Sequence, residues 1–108
     1  MGELLQLAEK RRVELNSLFK KIVPNVYFQP PENIKMKYPC IRYEFSNLDI
    51  LHADNEKWLS TGVNYKVILI TASPNPKAFD DIMLFKNCSF DRAIFSNGLY
   101  NYHFNLYF

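Results

Sequence analysis

Few side chains in this sequence have a type and spacing that could do chemistry. His52-Ala53-Asp54 sets an imidazole two positions from a carboxylate, half of a nucleophilic triad. The pair runs into Asp54-Asn55-Glu56, a cluster of turn-forming residues. A wet hairpin tip neither tunes a pKa nor excludes water, so a polar turn is the expectation there. Asp80 and Asp81 are adjacent at a helix start, and their side chains diverge. Cys88-Ser89 beside Asp91 matches no mechanism. His52 and His103 are too few for a multi-histidine metal cluster, and Cys40 and Cys88 form neither a CxxC pair nor a disulfide framework. There is no nucleophile elbow, P-loop, dinucleotide turn or EF-hand loop, and 3 glycines leave little backbone for cradling a phosphate. The residues point to no enzyme, no catalytic group, no cofactor and no metal.

Nucleic-acid binding is the next class to weigh. Nine Phe, seven Tyr and one Trp make the chain 16% aromatic, and rings on an open sheet face can stack bases. Tyr100, Tyr102 and Phe104 would be the platforms. Gly98-Leu99-Tyr100 lacks the basic residue such a strand carries before its glycine, however, and the formal charge is only +2. Residues 1–37 hold seven bases and four acids, and residues 38–108 six and seven. Lys10-Arg11-Arg12, flanked by Glu9 and Glu14, reads as a solvated helix face. The rings therefore read as core, each burying roughly 150–250 Å².

The elements that must hold these residues follow from periodicity. At 108 residues, 48% hydrophobic and 22% charged, the chain fits one folded domain, 1–108, and not a disordered tail or a coiled-coil rod. Residues 3–22 read as a helix, with Leu4, Leu7, Ala8, Leu15, Leu18, Phe19 and Ile22 on one stripe and Pro24 ending it. Val26-Tyr27-Phe28 makes a short strand stopped by Pro30 and Pro31. Residues 40–45 alternate, Ile41, Tyr43 and Phe45 against Cys40, Arg42 and Glu44. Residues 47–72 read as a long hairpin whose outer half, Ile50 to about Ser60, projects beyond the core. Gly62 marks a bulge on its return arm. There Val63, Tyr65, Val67 and Leu69 share a face, while Ile68 and Ile70 make the end apolar on both faces, the pattern of a central strand.

A second helix starts at Ser73-Pro74-Asn75-Pro76, with Asn75 as N-cap, Pro76 at the first helical position, and Phe79, Ile82, Met83 and Lys86 inward. Residues 88–95 turn through Asn97-Gly98 into a last strand whose Tyr100, Tyr102, Phe104, Leu106 and Phe108 share a face. The fold class expected is α+β: an N-terminal helix and a second short helix packed on one face of a mostly antiparallel sheet, with a long protruding β-hairpin. No long apolar run suggests a secretory signal or membrane span, so a reducing cytoplasm is expected, with both cysteines as small buried hydrophobes.

Three stretches carry a family resemblance: VYFQPPENIKMKYPCIRYE (26–44), HADNEKWL (52–59) and KNCSFDR (86–92). Together they resemble minor tail proteins of long-tailed phages and prophages, of the tail-terminator and tail-completion kind. The resemblance implies a non-enzymatic assembly role: a ring, commonly six-fold, that caps the head-proximal end of the tail tube. Its partners would be further copies of itself, the tail tube protein and the head-tail connector protein. It would reside in the virion after assembly in the host cytoplasm, with no membrane contact and no direct nucleic-acid recognition. A head-closure or adaptor role belongs to the same machinery and is the alternative, followed by a single-stranded nucleic-acid-binding module.

No family residue transfers by motif, so the contacts expected are physical ones. His52, Asp54, Asn55, Lys57 and Trp58 form the assembly interface expected on the hairpin, an aromatic anchor inside a charged rim. The last strand is the second contact expected, offering an open edge for pairing.

Overall fold

The computed structural model describes residues 2–31, 34–47, 63–74 and 76–108. The elements run α1 (Gly2–Lys20), β1 (Asn25–Phe28), β2 (Cys40–Asn47), β3 (Asn64–Thr71), α2 (Lys77–Met83), β4 (Cys88–Ser96) and β5 (Leu99–Tyr107). The strands form one sheet in the order β1-β2-β3-β5-β4. Every pairing is antiparallel except β1 with β2, which is parallel. Both helices pack on the same face, so the fold is α+β with helices against a mostly antiparallel sheet.

Side-chain alternation decides which face is covered. Ile41 and Tyr43 of β2, Tyr65, Val67 and Leu69 of β3, and Tyr102, Phe104 and Leu106 of β5 all turn toward the helices and are buried. From α1 the stripe delivers Leu15 and Phe19, both fully buried, with Leu18 half-buried, as is Ile22 in the turn that follows. Leu4, Leu7 and Ala8 of the expected stripe have side chains outside those described. Phe19 meets Tyr43 and Phe85 edge-on, with centroids 5.2 and 5.6 Å apart, the favoured geometry for ring quadrupoles. The helix ends in a tightened turn, Ile22 N–H donating to the Phe19 carbonyl (2.9 Å), before Pro24.

β3 occupies the centre of the sheet, as its doubly apolar end demands: Ile70 is buried on the face away from the helices. The β4–β5 turn has Asn97 at φ 53° and Gly98 at φ 76°, the paired positive values of a type I′ hairpin turn. β4 carries an irregularity between Phe90 and Arg92, where one extra residue breaks the ladder, and β2 carries another between Phe45 and Asn47.

Some expectations need correction and others lie outside what is described. The second helix is shorter: Pro76 is its N-cap in extended geometry (φ −74°, ψ 141°) and Lys77 its first residue. It ends at Met83, which is exposed, and Lys86 follows it in a turn. Lys10-Arg11-Arg12 is only partly a solvated face. Lys10 is exposed, but Arg11 lies over the Phe108 ring at 4.8 Å and Arg12 over Phe28 at 4.6 Å while paired with Glu9. Asn75, Gly62 and the outer half of the 47–72 hairpin lie outside the described residues.

Candidate interaction surfaces

The residues expected at the assembly interface, His52, Asp54, Asn55, Lys57 and Trp58, lie outside the described residues. The second expected contact is overturned. The last strand, β5, is internal, hydrogen-bonded to β3 on one side and β4 on the other. The composition of the two hairpin arms gives the reason. β5 brings Tyr102, Phe104 and Leu106 to the core face, whereas β4 is broken by Asp91-Arg92; burying the more apolar arm costs less desolvation.

β4 is the sheet edge in its place. Every residue from Ser89 to Ser96 is exposed, including Phe90 (42%), Ile94 (43%) and Phe95 (62%). Phe90 and Phe95 stand on the helix side. Phe95 packs on Tyr100 across the strand pair (4.7 Å), Tyr100 stacks on Tyr102 (6.1 Å, 13°), and Phe79 of α2 joins Tyr102, Phe104 and Phe90 at 5.2–5.4 Å. A cleft of about 350 Å³ opens beside them, lined by Pro74, Pro76, Phe79, Asp80, Phe90 and Tyr102. The Tyr102 hydroxyl donates to the Pro74 carbonyl (2.5 Å), tying the entry of α2 to β5. Tyr102 and Phe104 are core residues here, 8% and 1% exposed, so they present no free ring face for a base.

The face away from the helices is built from cross-strand rows. Register aligns Tyr27, Arg42, Ile68, His103 and Arg92 in one row, and Glu44, Lys66, Asn105 and Ser89 in the next. Between β2, β3, β5 and β4 lies a depression of about 260 Å³ lined by Glu44, Lys66, Asp91, Arg92 and His103 among others. No spacing in the sequence announces this grouping, since it spans four strands. Burial and the Arg92 guanidinium hold the His103 pKa below its ordinary value against the opposing pull of Asp91. Asp91 pairs with its neighbour Arg92 at 3.3 Å. Glu44, Asp91 and His103 do not converge: among the described residues no three metal-capable side chains come together.

The thiols are poorly placed for nucleophilic work. Cys40, fully buried, has its pKa pushed up to about 11 by desolvation, and burial also raises that of Cys88. Cys40 alternates to the face away from the helices, yet the connector before β2 is drawn back there. Lys37 N–H donates to the Tyr27 hydroxyl (3.0 Å), and Asn25 Nδ2 to the Pro39 carbonyl (3.2 Å). Arg42 Nε is buried on that side without a hydrogen-bond partner among the described residues.

Among known proteins, no family model, no curated protein and no solved structure matches this chain.

Proposed function

We propose that this chain is a non-enzymatic structural protein of phage tail assembly, forming a ring that caps the head-proximal end of the tail tube and helps join it to the head. The observation that carries the reading is the β4 edge. It is nine residues long and exposes three large apolar side chains, a surface whose unpaired backbone groups and rings suit contact with protein. The resemblance of residues 26–44, 52–59 and 86–92 to tail-terminator proteins supplies the setting. The protonated thiols, and a His103 with no carboxylate hydrogen bond among the described residues, favour assembly over catalysis. A ring of identical subunits needs two different patches on each copy, and a sheet with two unlike edges provides them.

The test is assembly itself. Purified protein is concentrated and mixed with purified tail tubes, then followed by light scattering and electron microscopy. Rings, or caps on tube ends that stop further tube growth, are expected. A protein that stays monomeric at high concentration and never binds tubes would refute the proposal. Caps that bind the head connector while leaving tube growth unchecked would favour the adaptor role.

A further inference from the structure

Among the described residues the sheet has two edges, β1 and β4, and their geometry matches. Taking β1 as pointing up, the pairings make β2 up, β3 down, β5 up and β4 down. Placing a second copy beside the first, with helices on the same side and strands along the same axis, sets β4 of one copy antiparallel to β1 of the next. We propose that subunits join in this way, β4 pairing with β1 of a second copy so that the sheet continues from subunit to subunit. The inference rests on the ring reading above and names its interface.

Length comes first. β1 is four residues, Asn25–Phe28, bounded by Pro24 and Pro30. The irregularity at Phe90/Arg92 interrupts β4 and leaves Ala93–Ser96, also four residues, as its regular stretch before the turn. Neither segment carries a charge, whereas Asp91 and Arg92 lie just beyond. Hydrogen-bonding polarity agrees. Gln29 N–H donates to the Tyr43 carbonyl (2.9 Å), so by alternation Asn25 and Tyr27 also face β2, and Val26 and Phe28 direct N–H and C=O outward. In a two-residue hairpin the Ser96–Leu99 pair closes the turn. Ser96 and Ile94 therefore face β5, and Ala93 and Phe95 direct their groups outward.

Side chains agree as well. The outward-bonding residues Val26, Phe28, Ala93 and Phe95 all stand on the helix side of the sheet. Exchanging bonds in antiparallel register sets Ala93 against Phe28 of the second copy and Phe95 against its Val26, small against large at both positions. On the other face Ile94 meets Tyr27 of the second copy. The two largest exposures on the regular half of β4 are thereby covered, one on each side of the sheet. The alternative of β4 pairing with β4 of another copy would close a two-fold dimer and leave β1 unused.

Ile94 and Tyr27 would be a non-hydrogen-bonded pair, where cross-strand Cα atoms approach to about 4.5 Å and a disulfide fits. In a Cys88→Ser background, Tyr27→Cys combined with Ile94→Cys should give, on oxidation under assembling conditions, a ladder of covalent multimers beyond the dimer. Either change alone should give none. As a measurement free of substitutions, the amides of Val26, Phe28, Ala93 and Phe95 in the unaltered protein should slow by about tenfold or more on assembly. Dimers from Ile94→Cys alone would overturn the proposal in favour of the two-fold pairing. Assembled rings with no ladder and unchanged exchange at those amides would overturn this interface and leave the ring reading standing. Failure to assemble under any condition, tubes included, would remove both.

Discussion

Two buried tyrosines should respond in opposite directions to the loss of a hydroxyl. Tyr43 and Tyr65 are cross-sheet neighbours with rings 5.8 Å apart, and both are fully buried. The Tyr43 hydroxyl donates to Asn16 Oδ1 at 2.7 Å, whereas the Tyr65 hydroxyl is buried with no partner among the described residues. A neutral hydrogen bond is worth about 1 kcal/mol net, and an unpaired buried hydroxyl costs about 1–3 kcal/mol. Tyr43→Phe should therefore destabilise by about 1–1.5 kcal/mol, since half-buried Asn16 can regain water. Tyr65→Phe should stabilise by about 1–2 kcal/mol. For a chain of this length each kcal/mol is worth about 4 °C in Tm. Urea unfolding is the assay, with unchanged slopes showing that only stability moved.

The alkaline limb gives a second reading of the same hydroxyl. Burial pushes the Tyr65 pKa up to about 12. Folding therefore favours the neutral phenol, and its contribution is complete below the unfolded value near pH 10. Above that the unfolded chain ionises first. Stability drains as pH rises, by about 2 kcal/mol when pH 12 is reached. Tyr65→Phe should flatten part of that fall. If both variants shift stability in the same direction, and the alkaline fall is unchanged in Tyr65→Phe, the account of these hydroxyls is wrong.

Three further outcomes are expected. Phe19→Ala empties the junction of α1 with Tyr43 and Phe85 and should cost about 3–5 kcal/mol, read from the urea midpoint. Gly98→Ala meets no atom within 4 Å of the new Cβ, so its cost of about 1 kcal/mol should come from the positive φ alone; thermal unfolding measures it. At pH 8 a water-soluble thiol reagent should label half-buried Cys88 in the folded protein and reach fully buried Cys40 only when the chain unfolds, as peptide mass mapping can follow.

Much of the fold was legible because single-strand periodicity carries it. Ile41 and Tyr43 alternate with Arg42 and Glu44, Asn97-Gly98 forces its own turn, and apolar residues on both faces of Ile68–Ile70 send β3 to the centre. What local pattern cannot express is which strand becomes a neighbour. The last strand reads as an open edge, and only the competition for core contacts put β5 inside and left β4 outside. The parallel β1–β2 pairing is a long-range choice across a proline-rich connector, and the extra residue at Asp91 interrupts β4 without any glycine to announce it. The depression around His103 is hidden for the same reason: Glu44, Lys66, Asp91 and His103 share a face only once four strands are in register. The site residues expected around Trp58 lie outside what the structure describes, so the surfaces argued from here are ones the sequence did not single out.

Arg11 and Arg12 are consecutive on α1, about 100° apart around its axis, and each guanidinium rests on a different ring: Phe108 beyond the end of β5, and Phe28 at the opposite border of the sheet. A cylinder pinned at two azimuths cannot roll on the surface beneath it. Apolar stripes tolerate some rotation, because one greasy contact replaces another, but cations seated over ring faces do not. Neighbouring arginines thus fix the rotational setting of the helix. Lysine at either position would keep the charge and surrender that setting, since a compact ammonium has no plane to lay down.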